Sequence, residues 1–117
     1  MNAILDVLIP TCNRPTALAV TLSGLVGNDD VEFSVYIADQ SDGRAGYDDP
    51  TAQAVLRVLQ ARGHSTVCWR NLPRRGLAHQ RQTLLERSCS NYVLFLDDDV
   101  LLEPGAINCM LDRKSVG

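Results

Sequence analysis

The sequence has no basic excess: 11 lysines and arginines stand against 14 aspartates and glutamates, for a formal charge of -3. A polyanion such as nucleic acid is therefore not an expected partner, although Arg74, Arg75 and Arg81 form one local positive cluster. No apolar run approaches the length of a membrane span, the stretch from Ile4 to Pro10 being far too short. The start also lacks a basic segment followed by an apolar core and a small-residue cleavage site. The chain reads as cytoplasmic, with a place at the inner face of a membrane left open. Its four cysteines, Cys12, Cys68, Cys89 and Cys109, show no C-x-x-C spacing, and are expected as buried free thiols in a reducing compartment. Neither G-x-G-x-x-G nor G-x-x-x-x-G-K-[ST] occurs, so a phosphate cradle of the dinucleotide or Walker kind is poorly supported. Internal repeats and low-complexity linkers are missing too. What remains is 117 residues, 45% apolar and 21% charged, the composition of one soluble domain or part of one.

Apolar runs and helical periodicities alternate along this chain. Residues 3–10 read as a buried strand ended by Pro10, which cannot donate to a sheet ladder. Asn13 then serves as a cap and Pro15 as a first helical residue, with Leu18, Leu22 and Leu25 at helical spacing and Gly27-Asn28 as the stop. A second strand over 33–38 runs into the polar turn Asp39-Gln40-Ser41-Asp42-Gly43. Asp49-Pro50 starts a helix with Ala52, Val55, Leu56 and Leu59 on one face, ended by Gly63. A short strand over 65–69 and the loop 70–76 lead to a third helix over 77–89. There Leu77, Ala78, Leu84, Leu85, Ser88 and Cys89 share an arc at 100° per residue, and Arg81 falls inside it. An arginine on a buried stripe must snorkel past the sheet rim or meet anions there. A fourth strand over 92–96 and a short helix opened by Pro104 complete the order. Strand and helix alternating in this way give an α/β fold, a doubly wound parallel sheet flanked by helices.

The fourth strand carries the strongest chemical signal. Its apolar run, read as covered on both faces, ends in Asp97, Asp98 and Asp99, where ligands bind in open α/β sheets. In an extended segment residues i and i+2 share a face, so Asp97 and Asp99 are expected to converge on one ligand while Asp98 points elsewhere. Oxygen-only ligands of this kind suit Mg2+ or Mn2+, which completes its shell with water and substrate phosphates; the alternative is a solvated acidic turn. Thr11, Arg14, Asp39, Asp42, Arg74 and Arg75 also follow strands and share the rim, with Arg81 one turn into a helix that begins there. Carboxylates for a metal, arginine forks for phosphate and a lone Asp39 for the N–H of a pyrimidine together suit a nucleotide diphosphate.

Four blocks in order, Val7-Leu8-Ile9-Pro10-Thr11-Cys12-Asn13-Arg14-Pro15, Ile37-Ala38-Asp39-Gln40-Ser41-Asp42, Asn71 through Gly76-Leu77-Ala78-His79-Gln80-Arg81, and Phe95-Leu96-Asp97-Asp98-Asp99, resemble the donor-binding half of a family 2 glycosyltransferase of the GT-A fold. The resemblance covers nearly the whole chain. It implies that Asp97 of the Asp-x-Asp motif contacts the ribose or the metal's surroundings and that Asp99 ligates the divalent ion, Mn2+ or Mg2+. Asp39 matches the family's base-reading acid, Thr11 and Arg14 match the loop that packs on the nucleotide, and Arg81 matches a helix arginine that faces it. The chain departs from the pattern at Ala38, where a second acid is usual, and at Gln82, where Asn is usual.

By resemblance the reaction is inverting, metal-assisted sugar transfer from a nucleotide-diphosphate donor, uridine being the favoured base, to an acceptor the sequence does not identify. Residues 1–117 are expected to form one nucleotide-sugar-binding domain holding the leaving-group half of that machinery. Glu103 and Asp112 match no motif for the catalytic base, and the isolated chain is expected to be inactive. A fourth strand with an unpaired edge further predicts a homo-oligomer. Two other readings stay open: a non-catalytic nucleotide-sugar-binding module, and a metal-dependent nucleotidyl- or phosphotransferase.

Overall fold

The computed structural model describes residues 3–116. In chain order the elements are β1 (Leu5–Thr11), α1 (Pro15–Val26), β2 (Phe33–Asp39), a 3-10 turn (Gly46–Asp48), α2 (Pro50–Ala61), β3 (Thr66–Arg70), α3 (Leu77–Arg87), β4 (Tyr92–Phe95) and α4 (Ala106–Val116). All strand pairs are parallel, in the order β3-β2-β1-β4. The chain winds outward from β1 through β2 to β3, then crosses back to place β4 on the other side of β1. This is the doubly wound α/β sheet expected from the alternation of elements, and its reversal puts a crevice at the carboxyl ends of β1 and β4.

The larger core lies on the face covered by α1 and α2. Val7, Ile9, Phe33, Val35 and Ile37 of the sheet pack there with Leu18, Leu22, Leu25, Leu56, Leu59 and, from α4, Ile107. Each fully buried side chain of this size contributes roughly 1.5–3 kcal/mol. The opposite face holds a smaller cluster of Leu8, Ala38 and Leu84 of α3, with Tyr36 and Trp69 at its margin.

Several local expectations are corrected. Pro10 does not end β1: it sits opposite Ala38, and the strand continues to Thr11. Residues of Leu8's parity bond toward β4, as Leu96 N–H does to Leu8 O at 3.0 Å, and β4 ends before Pro10, so its missing donor costs no ladder bond. Asn13 does not cap α1. It adopts φ 57°, and its side chain exchanges two bonds with Asp42 at 3.0 and 3.1 Å, stitching β1's exit to β2's exit. Nor is β4 covered on both faces. It is an edge strand in which Tyr92, Val93 and Phe95 are exposed by 37–43%.

Helix α3 is rotated from the expected arc. Gln80 and Leu84 are its buried residues, while Leu77, Leu85 and Arg81 face outward. Burial of the polar Gln80 is possible because its amide meets two backbone carbonyls, and Arg87 lying 4.3 Å over the Trp69 ring fastens the same face to the sheet. The four cysteines are free but not uniformly buried as expected: Cys12 and Cys68 are half-buried, and Cys89 and Cys109 are exposed.

Two buried polar side chains hold β4 and its sequel in place. Asp6, within β1, accepts from Cys89 N, Ser90 N and Ser90 Oγ at 2.7–3.0 Å, anchoring the approach to β4. Asn28 donates to Gly24 O and Glu103 O and accepts from Ile107 N, lashing residues 103–107 to the end of α1. At Gly24 the segment passes so close that a Cβ would stand 2.9 Å from Leu101 Cδ1 and 3.0 Å from Leu102 N. The backbone beyond the three acids is thus held against α1.

Candidate functional site: a cleft at the carboxyl rim of the sheet

A cleft of about 420 Å3 opens where the strands end. Thr11, Asn13 and Arg14 line it from β1's exit, Gln40 from β2's, Arg74 from the loop before α3, Leu77 and Gln80 from the start of α3, and Asp97, Asp98 and Asp99 from β4's. This volume is within the range of small-molecule sites.

The three carboxylates have unequal surroundings. Asp98 is nearly buried; it accepts the Thr11 hydroxyl at 2.8 Å and faces Arg14 Nη1 at 3.4 Å. The same Arg14 nitrogen stands 3.4 Å from Asp99 Oδ2. Asp97 Oδ1 is 3.7 Å from Arg81 Nη2. The side chains of Asp97 and Asp99 remain 60% and 58% exposed. Asp98 is therefore turned inward, away from the exposed Asp97 and Asp99, as the alternation of an extended segment would have it. The cause differs, because residues 98 and 99 form a turn rather than an extended segment, with Val100 N–H reaching Asp97 O at 3.3 Å.

Arg81 approaches the cleft only through Asp97 and lies 5.8 Å over the Phe95 ring; it is not a lining residue. Arg74 is one, and it also stands 3.6 Å from Asp42. The sequence placed Arg74 on the rim together with Arg75, and neither periodicity nor motif distinguishes the two.

Asp39 is fully buried. Its oxygens accept from Ser41 N at 2.7 Å, Ser41 Oγ at 3.1 Å and Gly46 N at 2.8 Å, and Arg70 Nε lies 3.7 Å away. Gly46 permits that approach, since a Cβ there would stand 3.2 Å from Asp39 Oδ2. As placed, Asp39 organises the loop after β2, and it does not line the cleft. Nearby, the Cys68 thiol is pushed up to about 11, by burial first and then by Asp48 and Asp39.

Gln80 and Gln40, which no periodicity or spacing in the sequence singles out, form the floor. Gln80 Nε2 donates to Thr11 O at 3.1 Å and Ala38 O at 2.5 Å, clipping the ends of β1 and β2 together from α3. Gln40 is held by its backbone: its N–H donates to Thr11 O at 3.0 Å, and Cys12 Sγ donates to its carbonyl at 3.3 Å.

Electrostatically the cleft offers two open carboxylates and two arginines around one hollow. Among the described residues no group of three or more His, Cys, Asp or Glu side chains is placed to hold a metal alone. The chemistry of the donor set still fits a hard cation. Mg2+ is commonly held by one or two carboxylates together with substrate phosphates, and the ion pairs of Asp97 and Asp99 are long and largely exposed.

The family model for glycosyl transferase family 2 matches residues 6–115. Among solved structures, TarS of S. aureus superposes with a TM-score of 0.75 at 17% identity, covering 96% of this chain and 19% of that one. A TarS 1–349 structure with UDP-GlcNAc gives 0.75 at 16% identity, covering 96% and 31%. The mannosyltransferase PcManGT from Pyrobaculum calidifontis, solved with GDP-Man and Mn2+, gives 0.65 at 19% identity, covering 86% and 29%. The chain thus spans about a fifth to a third of the length of these proteins, and at such identities the likeness is one of fold. Among curated proteins no sequence matches.

Proposed function

The chain belongs to glycosyl transferase family 2, and from that premise we propose that its rim cleft binds the nucleotide diphosphate of an activated sugar, a UDP-sugar in first place, for transfer of the sugar to an acceptor hydroxyl. The observation that carries this reading is the convergence of Thr11, Arg14, Arg74, Asp97 and Asp99 on one hollow at the sheet's switch point. TarS has been solved with UDP and with UDP-GlcNAc, and PcManGT with GDP-Man and Mn2+; these precedents support a nucleotide-sugar donor.

In this proposal Asp99, with Asp97 beside it, holds Mn2+ or Mg2+, which when bound would offset the charge of the departing diphosphate. Arg14 and Arg74 meet phosphate oxygens through their guanidinium forks. Asp98 takes no ligand: by accepting the Thr11 hydroxyl and pairing with Arg14 it fixes the β1 exit loop against the acidic turn. Arg81 acts through Asp97, restraining that carboxylate. Orienting these groups before the donor arrives lowers the entropy lost on binding.

Among the described residues lining the cleft the only carboxylates are Asp97, Asp98 and Asp99. With these assigned to the donor none is left to deprotonate an acceptor, which favours a donor-holding role for these residues. It also sustains a second reading, a nucleotide-sugar-binding module without transfer. Paramagnetic relaxation tests the donor site. Adding Mn2+ with UDP should broaden the amide resonances of residues 11–14 and 97–99 and spare Asp29 and His64 at the far end of the sheet. Uniform broadening, or broadening centred elsewhere, would remove the proposal. Sugar transfer from UDP-GlcNAc to added acceptors then separates the two readings.

A further inference from the structure

Resting on the donor site just proposed, we propose that Arg14 is an exchangeable counter-ion of the acidic turn: it neutralises Asp99 in the free protein, yields that carboxylate to the divalent ion, and turns to the diphosphate that binds with it. One guanidinium nitrogen carries the contact. Arg14 Nη1 stands 3.4 Å from Asp98 Oδ1 and 3.4 Å from Asp99 Oδ2, so a single positive group straddles a buried acid and an exposed one. The two sides of that bridge differ. Asp98, its side chain 10% exposed, is fixed by the Thr11 hydroxyl and serves as a post. Asp99 is largely exposed, and among the described residues Arg14 is its one ion-pair partner. The backbone of Arg14 is pinned, since Asn13 turns at φ 57° with its N–H donating to Ser41 Oγ at 2.8 Å, and Arg14 O accepts the N–H of Leu18 at 2.9 Å. Beyond that backbone the side chain is 57% exposed and held only by long contacts, so it can swing on a fixed base.

Charge decides when it swings. The cleft's lining brings together three carboxylates and the guanidiniums of Arg14 and Arg74, and Arg74 pairs away from the acids, 3.6 Å from Asp42. Toward a divalent cation alone Arg14 is a competitor: it must give up Asp99, and two positive charges are then left side by side. With a nucleotide diphosphate present the displaced guanidinium meets phosphate oxygens, a bidentate match that the long pair with Asp99 does not supply. Metal and diphosphate therefore favour each other's binding by more than their direct contact, and the coupling is reciprocal. The pair surrendered is exposed on both sides and so costs little to break. Asp98 keeps Arg14 at the cleft in both states, which gives the middle acid of the triplet a part in the exchange without a ligand of its own.

Mn2+ binding to the full chain without nucleotide, followed by the paramagnetic resonance signal of the free ion, tests the exchange in wild type, Arg14→Gln and Arg74→Gln, each checked for a cooperative urea transition. Removing the competitor in Arg14→Gln should tighten Mn2+ about two- to fivefold, the scale of an exposed ion pair. Arg74→Gln, whose partner is not an acid assigned to the metal, should stay within about 1.5-fold of wild type at physiological salt, where the more distant charge is screened. UDP affinity at saturating Mn2+, read by calorimetry, should fall about tenfold in both variants, as each loses a charged donor to phosphate. The opposite signs for metal and nucleotide in Arg14→Gln are what a merely structural arginine would not produce. A second measurement needs no variant: in wild type, Mg2+ alone should shift the Arg14 Nε–H resonance, and UDP added with Mg2+ should shift it further. If UDP binds with Mn2+ but Arg14→Gln leaves Mn2+ affinity unchanged or weaker, or Arg74→Gln tightens it equally, or the Arg14 resonance ignores the metal, the exchange falls while the donor site stands. If UDP with Mn2+ does not bind wild type, both fall.

Discussion

Replacing Gln80 by leucine tests how the cleft is built, because the change keeps the side chain's bulk and removes only its amide. Gln80 is 3% exposed and donates two hydrogen bonds, to Thr11 O and Ala38 O. A neutral intramolecular bond contributes about 0.5–1.5 kcal/mol net, so losing two costs about 1–3 kcal/mol. The larger penalty for orphaned groups does not apply in full, since Thr11 O keeps the N–H of Gln40. Gln80→Glu should cost more than Gln80→Leu, because it buries a carboxylate facing two carbonyl oxygens. Urea unfolding followed by tryptophan fluorescence, with Trp69 at the α3 face as reporter, gives both values from the shift in midpoint at constant slope. The clip also fixes the Thr11 exit, so Gln80→Leu should weaken UDP binding severalfold while leaving the protein folded. A neutral or stabilising Gln80→Leu, or a Gln80→Glu no worse than it, would refute the clip as a structural element.

Asp99→Asn should leave stability within about 0.5 kcal/mol, as its side chain is largely exposed, whereas Asp98→Asn should lower the urea midpoint by disturbing the Thr11 and Arg14 contacts; equal midpoints for the two variants would contradict the different roles given to these acids. The Asp29 carboxyl is held below its ordinary value by the hydrogen bond from His64 first and then that from Arg62, so its contribution to stability is present above the ordinary carboxylate range and is lost as pH falls through the lowered folded value. Urea midpoints measured across acidic pH should therefore fall more steeply for wild type than for Asp29→Asn, and parallel curves would be the contrary result. Thiol alkylation of the native protein at mildly alkaline pH should reach Cys89 and Cys109 well before Cys68, whose thiol is raised to about 11 by burial and neighbouring acids; peptide mapping that finds Cys68 modified first would contradict its burial.

The frame of this fold was legible in the sequence because strand and helix each left a period and a stop: Asp49-Pro50 does cap α2, its carboxylate accepting from Thr51 N and Ala52 N, and Gly63 does end it, at φ 94°. Polar side chains that bond across sequence were not legible. Asn13 reads as a helix cap by type, yet its partner is Asp42, 29 residues away. Gln80 looks like a surface residue beside Leu77 and Leu85, and only the carbonyls at the ends of β1 and β2 make its burial favourable, turning α3 away from its most apolar arc. The exposure of β4 depends on the strand order, which the β4 sequence does not encode locally. The Asp triplet could be placed at the rim by its strand, but the inward turn of Asp98 follows from the hydroxyl of Thr11 on the neighbouring strand.

Calorimetric titration of UDP into the 117-residue chain tests directly whether the rim cleft is a metal-dependent site for a nucleotide diphosphate. With Mn2+ present, UDP should bind saturably to one site, and binding should be abolished when the metal is removed by EDTA and restored when it is returned. No saturable heat with Mn2+, or the same affinity in EDTA, would contradict the assignment of Asp97 and Asp99 to a cation that bridges protein and diphosphate.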